Sequence, residues 1–149
     1  MIVLDTNVLS EVLRVQPALQ VLAWLNGLGQ TPVYVSSVTQ AEMLLGVALL
    51  PAGKRRDALG EKVAGLFTQH FVKRCLPFDA LAAPHYAQIV SSRQRAGKRI
   101  NTEDAQIAAV ARSRNYRLAT RNVADFAGIA GLTLINPWDA AAQQLLTST

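Results

Sequence analysis

Met1-Ile2-Val3-Leu4-Asp5-Thr6-Asn7 opens the chain, and the run Ile2–Leu4 decides what fold follows. Three consecutive branched apolar residues with no polar alternation predict a strand buried on both faces, as at the centre of a parallel sheet. The run stops at Asp5, so a carboxylate stands just past the strand's C-terminal end. Working outward, a short helix is expected through Val8–Leu13. A second, Ala18–Leu25, is begun by Pro17 and ends near Gly27 and Gly29. Val33–Ser36 is brief and β-branched, a second strand. Ser37 and Gln40 have the spacing of a capping box, which would start a helix carrying Glu42 in its second turn. Pro51-Ala52-Gly53 breaks that helix, and another is expected over Arg55–Phe71. Val72–Leu76 reads as a third strand, and Ala82–Ala96 as a long helix with Pro84 in its first turn and Gly97 just beyond its end. Asn101 is placed to cap a helix through Asp104–Ser113. Arg117–Ala119 and Thr133–Ile135 read as strands, and Asp139–Leu146 as a closing helix. Strands alternating with helices predict an α/β fold, a three-layer α/β/α sandwich around a mainly parallel sheet, with one domain over residues 1–149.

At 149 residues and 50% hydrophobic composition, one such domain can bury a sizeable core without metal or disulfide. Cys75 is the sole cysteine, so no intrachain disulfide forms; it is expected to pack as a small core residue and suits a reducing cytoplasm. The longest apolar stretch, Met43 to Pro51, is interrupted by Gly46 and falls well short of the roughly 20 residues that cross a bilayer. The N-terminus lacks the basic start of a signal peptide. These features predict a cytoplasmic protein with no membrane partner. Fifteen Lys and Arg against ten Asp and Glu give a net charge of +5 and favour a nucleic acid partner over an acidic small molecule.

Within this basic chain four acids stand in informative surroundings: Asp5, Glu42, Asp104 and Asp125. Ligands of open parallel sheets bind beyond the carboxyl ends of the strands. Asp5 follows the first strand and Thr120–Asp125 the fourth, while Glu42 and Asp104 lie near the starts of helices. All four can therefore converge at one sheet edge. Each also has a plain structural reading. Asp5 can cap a helix, Glu42 can be a solvated helix residue, Asp104 can complement a helix dipole, and Asp125 can stabilise a turn. Burial tilts the balance. Ala105-Gln106-Ile107-Ala108-Ala109-Val110-Ala111 is small and apolar nearly all round, so Asp104 opens a helix that must be largely buried. A carboxylate at such an entrance is costly unless it is paired or holds a cation.

The pattern resembles the PIN-domain ribonucleases, and among them the VapC-type toxins of bacterial toxin–antitoxin pairs, with an opening Met1–Arg14 similar to the FitB-like subgroup. The matching stretches are Leu4-Asp5-Thr6-Asn7, Ser36–Glu42 running into Leu44-Leu45-Gly46, Asp104-Ala105-Gln106-Ile107-Ala108-Ala109, Thr120-Arg121-Asn122 with Asp125-Phe126, and Ile135-Asn136-Pro137-Trp138. They span almost the whole chain in the family's order. The resemblance implies that Asp5, Glu42, Asp104 and Asp125 are the catalytic and metal-holding acids. Thr6 and Thr120 match positions that orient the carboxylates. Many relatives carry an acid where this chain has Asn122, which can coordinate only through an uncharged amide oxygen. Glu103 is an extra acid, turned about 100° from Asp104 on a helix and expected outside the site. The resemblance further implies RNA hydrolysis by a metal-activated water, leaving a 5′-phosphate and a 3′-hydroxyl, a homodimer, and a cognate antitoxin that silences the site.

The expected ion is Mg²⁺ or Mn²⁺, because the donors are oxygens and no Cys/His cluster is present. His70 and His85 lack ligand spacing and are expected at the surface or between helices. The basic residues gather as Lys54–Arg56, expected to be solvated, and as Arg93, Arg95, Lys98, Arg99 and Arg121, expected to grip RNA phosphates. Two rival readings are a catalytically silent PIN-like module that binds RNA or protein, and an aspartyl-phosphate enzyme using Asp5. The second is disfavoured because Thr6, Asn7 and Val8 follow Asp5 in place of a second acid.

Overall fold

The computed structural model describes residues 1–139, so the closing helix expected over Asp139–Leu146 lies outside the described residues but for Asp139, which sits in a bend. The element order is β1 (Ile2–Leu4), α1 (Thr6–Val12), α2 (Leu19–Gly27), β2 (Val33–Ser36), α3 (Ser37–Ala48) and α4 (Lys54–Gly65). A π-helical turn (Leu66–His70) leads to β3 (Cys75–Leu76), α5 (Ala83–Arg95), α6 (Thr102–Ser113), β4 (Arg117–Ala119), α7 (Val123–Phe126) and β5 (Leu134–Ile135). The five strands form one sheet in the order β3-β2-β1-β4-β5, and every pairing is parallel.

β1 is the centre of that sheet, and its alternation divides the core. Ile2 and Leu4 pack with Val8, Leu9, Trp24 and Met43 on one face. Val3 packs with Ile89, Ile107, Leu118 and Phe126 on the other. Each of these three β1 side chains is buried, a gain of about 1.5–3 kcal/mol apiece. Helices α1–α4 thus cover one face and α5–α7 the other, which is the expected three-layer α/β/α sandwich. The all-Ala and branched run of α6 packs as its composition demands, with Ala105 and Ile107 to Ala111 wholly buried.

Four local expectations change, the first being that the strand expected over Val72–Leu76 is confined to Cys75–Leu76, with Val72–Arg74 in a turn. The capping box at Ser37 and Gln40 does not form. Ser36 is the N-cap of α3, its hydroxyl accepting the Thr39 amide at 3.1 Å from an extended backbone, while Ser37 Oγ accepts the Phe78 amide at 3.3 Å. The long helix expected over Arg55–Phe71 relaxes into the π turn, closed by Phe71 N–H on Leu66 O at 2.8 Å. α7 is a short helix where only a turn was expected. Asn101 caps α6 as predicted, accepting the Asp104 amide at 2.7 Å, and Gly97 takes the left-handed conformation (φ +70°) just past α5. Among the described residues no helix is long and apolar enough to cross a membrane. Cys75 is half-buried beside Gln40 Oε1 at 3.6 Å, and burial pushes its thiol pKa up.

Candidate active site

The chain leaves β1 for β2 on one side and later returns to β4 on the other, so the crevice beyond the carboxyl ends of these strands is the topological switch point of the sheet. Asp5 sits there, its amide bound to Ala119 O at 2.8 Å. Its side chain is 3% exposed and held at both oxygens: Oδ1 accepts the Thr6 amide at 2.8 Å and Oδ2 accepts the Thr120 hydroxyl at 2.7 Å. Thr120 Oγ1 in turn accepts the Asn122 amide at 3.0 Å. Thr6 donates its hydroxyl to Glu42 Oε1 at 2.7 Å. Having one hydroxyl hydrogen, Thr6 must accept in its 2.9 Å contact with Thr39, which ties Glu42 back to the β2–α3 cap.

An open pocket of about 440 Å³ is lined by Asp5, Thr6, Asn7, Glu42, Asp104 and Asn122, together with Ser10, Glu11 and Arg14 of α1 and the turn after it. Asp104, half-buried at the start of α6, has its pKa pushed up to about 6. Burial is the main cause, followed by the charges of Asp5, Asp125 and Glu42, against a hydrogen bond with Asn101. Burial raises Asp5 too, partly offset by its bonds from Thr120 and Thr6. Glu42 is raised by burial, opposed by the Thr6 hydroxyl and reinforced by Asp5 and Glu103. Asp125, exposed on α7, is not one of the pocket-lining residues, although its charge is felt at Asp5 and Asp104. Glu103 likewise stands outside the pocket.

Among the described residues no Lys or Arg forms an ion pair with any of the four acids. Nor do three acidic, His or Cys side chains converge there as a ready-made ion cage. Asp5, Glu42 and Asp104 share one pocket and one repulsive field. Their donor set, oxygen throughout and without an ion-pair partner among the described residues, fits a hard divalent cation.

A family model of the PIN domain matches residues 2–132. The chain belongs to the PIN-domain family. It is similar to the toxin FitB of Neisseria gonorrhoeae, at 45% identity over 138 residues covering 93% of this chain and 99% of that one. It is also similar to a VapC ribonuclease of Sinorhizobium fredii, at 40% identity over 141 residues covering 95% and 100%. The crystal structure of FitAcB from Neisseria gonorrhoeae matches with a TM-score of 0.84 at 45% identity, over 93% of this chain and 99% of that chain.

The basic residues of this PIN domain divide differently from expectation. Arg93 is a correction: only 7% exposed, it donates Nη2 to Ala127 O at 2.7 Å and fastens the loop after α7, so its head is tied into the structure and not presented to RNA. Arg95, Lys98 and Arg99 are exposed. Arg121 is exposed and lies 5.0 Å over the Trp138 ring, with its amide bound to Asn7 Oδ1 at 3.2 Å. His85 lies between helices, its Nδ1 accepting Arg112 Nε at 2.8 Å; His70 is exposed. The residues missed from sequence are Glu11 and Arg14. Asn7, Ser10, Glu11 and Arg14 have the i, i+3, i+4, i+7 spacing of one helix face, a signal that would have placed them beside Asp5.

Proposed function

We propose that this PIN domain is a metal-dependent endoribonuclease and the toxin member of a toxin–antitoxin pair, with Asp5, Glu42, Asp104 and Asp125 as its acidic machinery. The observation that carries the reading is the shared pocket: three carboxylates, Asp5 just past β1, Glu42 of α3 and Asp104 of α6, line one cavity at the sheet's switch point with raised pKa values and, among the described residues, no ion-pair partner. Relatives named VapC ribonuclease and FitB toxin align over nearly the full chain. Asp5, Glu42 and Asp104 would hold the ion, Mg²⁺ or Mn²⁺, with Asp125 acting from the rim. A bound divalent cation supplies neutralisation of phosphate charge and a lowered pKa for water.

The chain's own residues supply the rest. Thr120 and the Thr6 amide fix Asp5 in one orientation, so its carboxylate is presented without a search through rotamers. Thr6 does the same for Glu42, which would orient the attacking water. In the hydrolysis a water oxygen forms the new bond to phosphorus and gives up one proton to solvent, the bond from phosphorus to the 3′-oxygen breaks, and that oxygen takes up one proton from solvent. Neither His70, which is exposed, nor His85, whose Nδ1 accepts from Arg112, lines the pocket, so neither is assigned the role of base. A homodimer and a small cognate antitoxin complete the assembly we propose, the antitoxin silencing the pocket with a cation.

The test is cleavage of a mixed RNA pool with Mg²⁺ or Mn²⁺, beside EDTA and Asp104→Asn controls. Cleavage that disappears in both controls supports the reading. A folded protein that binds Mn²⁺ yet leaves every RNA intact would replace it with the silent module, for which the uncharged Asn122 in the pocket wall is the favouring observation.

A further inference from the structure

We infer that Arg14 is an RNA-phosphate contact at the mouth of the acidic pocket, set in position by the buried carboxylate of Glu11. The inference rests on the nuclease reading and adds to it a substrate-positioning residue outside every basic run of the sequence. Arg14 lines the acidic pocket and also the apolar groove beside it, so it stands where the two meet. Glu11 is 6% exposed and its Oε1 accepts the Ala18 amide at 3.1 Å, an anchor that does not depend on Arg14. Arg14 Nη1 reaches Glu11 at 3.2 and 3.4 Å. Burial works against the charge of Glu11, but the bonds from Arg14 and Ala18 and the charges of Arg14 and Arg121 outweigh it and lower its pKa. Glu11 is therefore ionised at neutral pH.

Arg14 gives only one nitrogen to this pair. Nε and Nη2 have no protein partner among the described residues, and the side chain is 65% exposed. Solvent screens the exposed Arg14 head, and Glu11 keeps the Ala18 amide as a partner without it, which leaves the purely structural role of Arg14 weak. The electrostatic need at this place is specific. The pocket floor is anionic and RNA is a polyanion, so a fixed cation at the rim offsets the repulsion felt by phosphates flanking the scissile one. Arg121 supplies the second cation: stacked on Trp138 and tied by its amide to Asn7, it is near enough for its charge to act on Glu11. The heads of both arginines are braced, that of Arg14 by a carboxylate at the pocket wall and that of Arg121 by an indole ring.

The experiment measures binding of a short labelled single-stranded RNA across a salt series in the full chain carrying Asp104→Asn, with Mg²⁺ present. Adding Arg14→Gln is expected to weaken binding on the order of fivefold at physiological salt and to make the slope of log affinity against log salt shallower by about 0.7, the share of one phosphate contact on a single strand. Arg14→Lys should restore the slope. Glu11→Gln should keep the slope, because the Arg14 charge remains. In the cleaving protein, Arg14→Gln should raise KM and leave kcat within about twofold. Unchanged slope and KM in folded Arg14→Gln, with RNA still bound and cleaved by the parent, would overturn the inference alone. A parent that neither binds nor cleaves RNA would overturn the nuclease reading and this inference with it.

Discussion

The two halves of the acidic pocket are built on opposite terms. On the β1, α1 and α3 side, Asp5 and Glu42 are pinned by Thr120, Thr6 and, behind them, Thr39 and the Ser36 cap. On the α6 and α7 side, Asp104 is half-buried, Asn122 and Asp125 are exposed, and Asp104 is raised first by burial and then by the charges of Asp5, Asp125 and Glu42. The first half is organised before any ion arrives. The second stores unfavourable charge that a cation relieves. The site is thus pre-shaped on one wall and cation-dependent on the other, which keeps ligand geometry strict while leaving ion and substrate room to enter.

Breaking the rigid wall should have the largest effect. Asp5→Asn is expected to reduce cleavage at least on the order of a thousandfold, by removing the charge that the ion needs. Because burial already disfavours that charge, the same variant should melt at or above the parent's temperature. Cleavage within tenfold of the parent, measured beside a melting curve, would remove Asp5 from the mechanism. Thr120→Val comes next. It strips Asp5 Oδ2 of its 2.7 Å donor and leaves the Asn122 amide without its acceptor. Loss of about 1–3 kcal/mol in denaturant unfolding is expected, with a fall of roughly 10–100-fold in metal affinity. A variant as stable and as metal-avid as the parent would show that the pinning is incidental.

The repulsive wall is tested by pH. Asp104 has a folded pKa near 6 against 3.8 in the unfolded chain, so between those values the folded state holds the extra proton. Its contribution to metal-free stability is complete below about pH 4 and is lost as pH rises through 6. Asp5 and Glu42 act in the same direction; Glu11 and Asp79, lowered despite burial by their hydrogen bonds and arginine partners, act in the other. Comparing the parent with Asp104→Asn isolates the one group. Asp104 is half-exposed, so after screening the difference should be about 1 kcal/mol between acid and neutral pH. Excess Mg²⁺ should abolish it, and parallel stability curves in metal-free buffer would refute the raised pKa of Asp104.

The same division governs how far the sequence alone could be read. β1, β2 and β4 were foreseen to the residue, the first two because apolar or β-branched runs leave one way to bury them. The pocket's acids could be collected because each follows a strand or opens a helix whose burial is written in composition. Arg93 could not be separated from its exposed neighbours Arg95 and Lys98, since the carbonyl that captures it belongs to Ala127, 34 residues on. The α3 cap slipped by one residue because Ser36 and Ser37 offer the same hydroxyl, and only the pairing of Ser36 with Leu76 in the sheet keeps Ser36 extended enough to cap. Glu11 escaped notice as one more helical acid, although its spacing from Asn7 was available. Contacts across long sequence separations decide such cases.

Asn122→Asp sharpens the comparison most gently. Asn122 lines the pocket, so the substitution adds one carboxylate to the repulsive wall without touching the rigid one. Two opposed changes should follow. Without metal, a further negative charge near Asp104 should lower stability by a few tenths of a kcal/mol, as like charges do at exposed positions. With metal, the added ligand should tighten Mn²⁺ binding by roughly three- to tenfold, since affinity in carboxylate sites rises with ligand charge. Isothermal titration with Mn²⁺ and paired melting curves read both signs at once. Tighter binding with lower apo stability would show that this wall is limited by charge. Tighter binding with no apo cost would mean that Asp104 does not feel position 122, and the repulsion would then have to be assigned to Asp5, Asp125 and Glu42 alone.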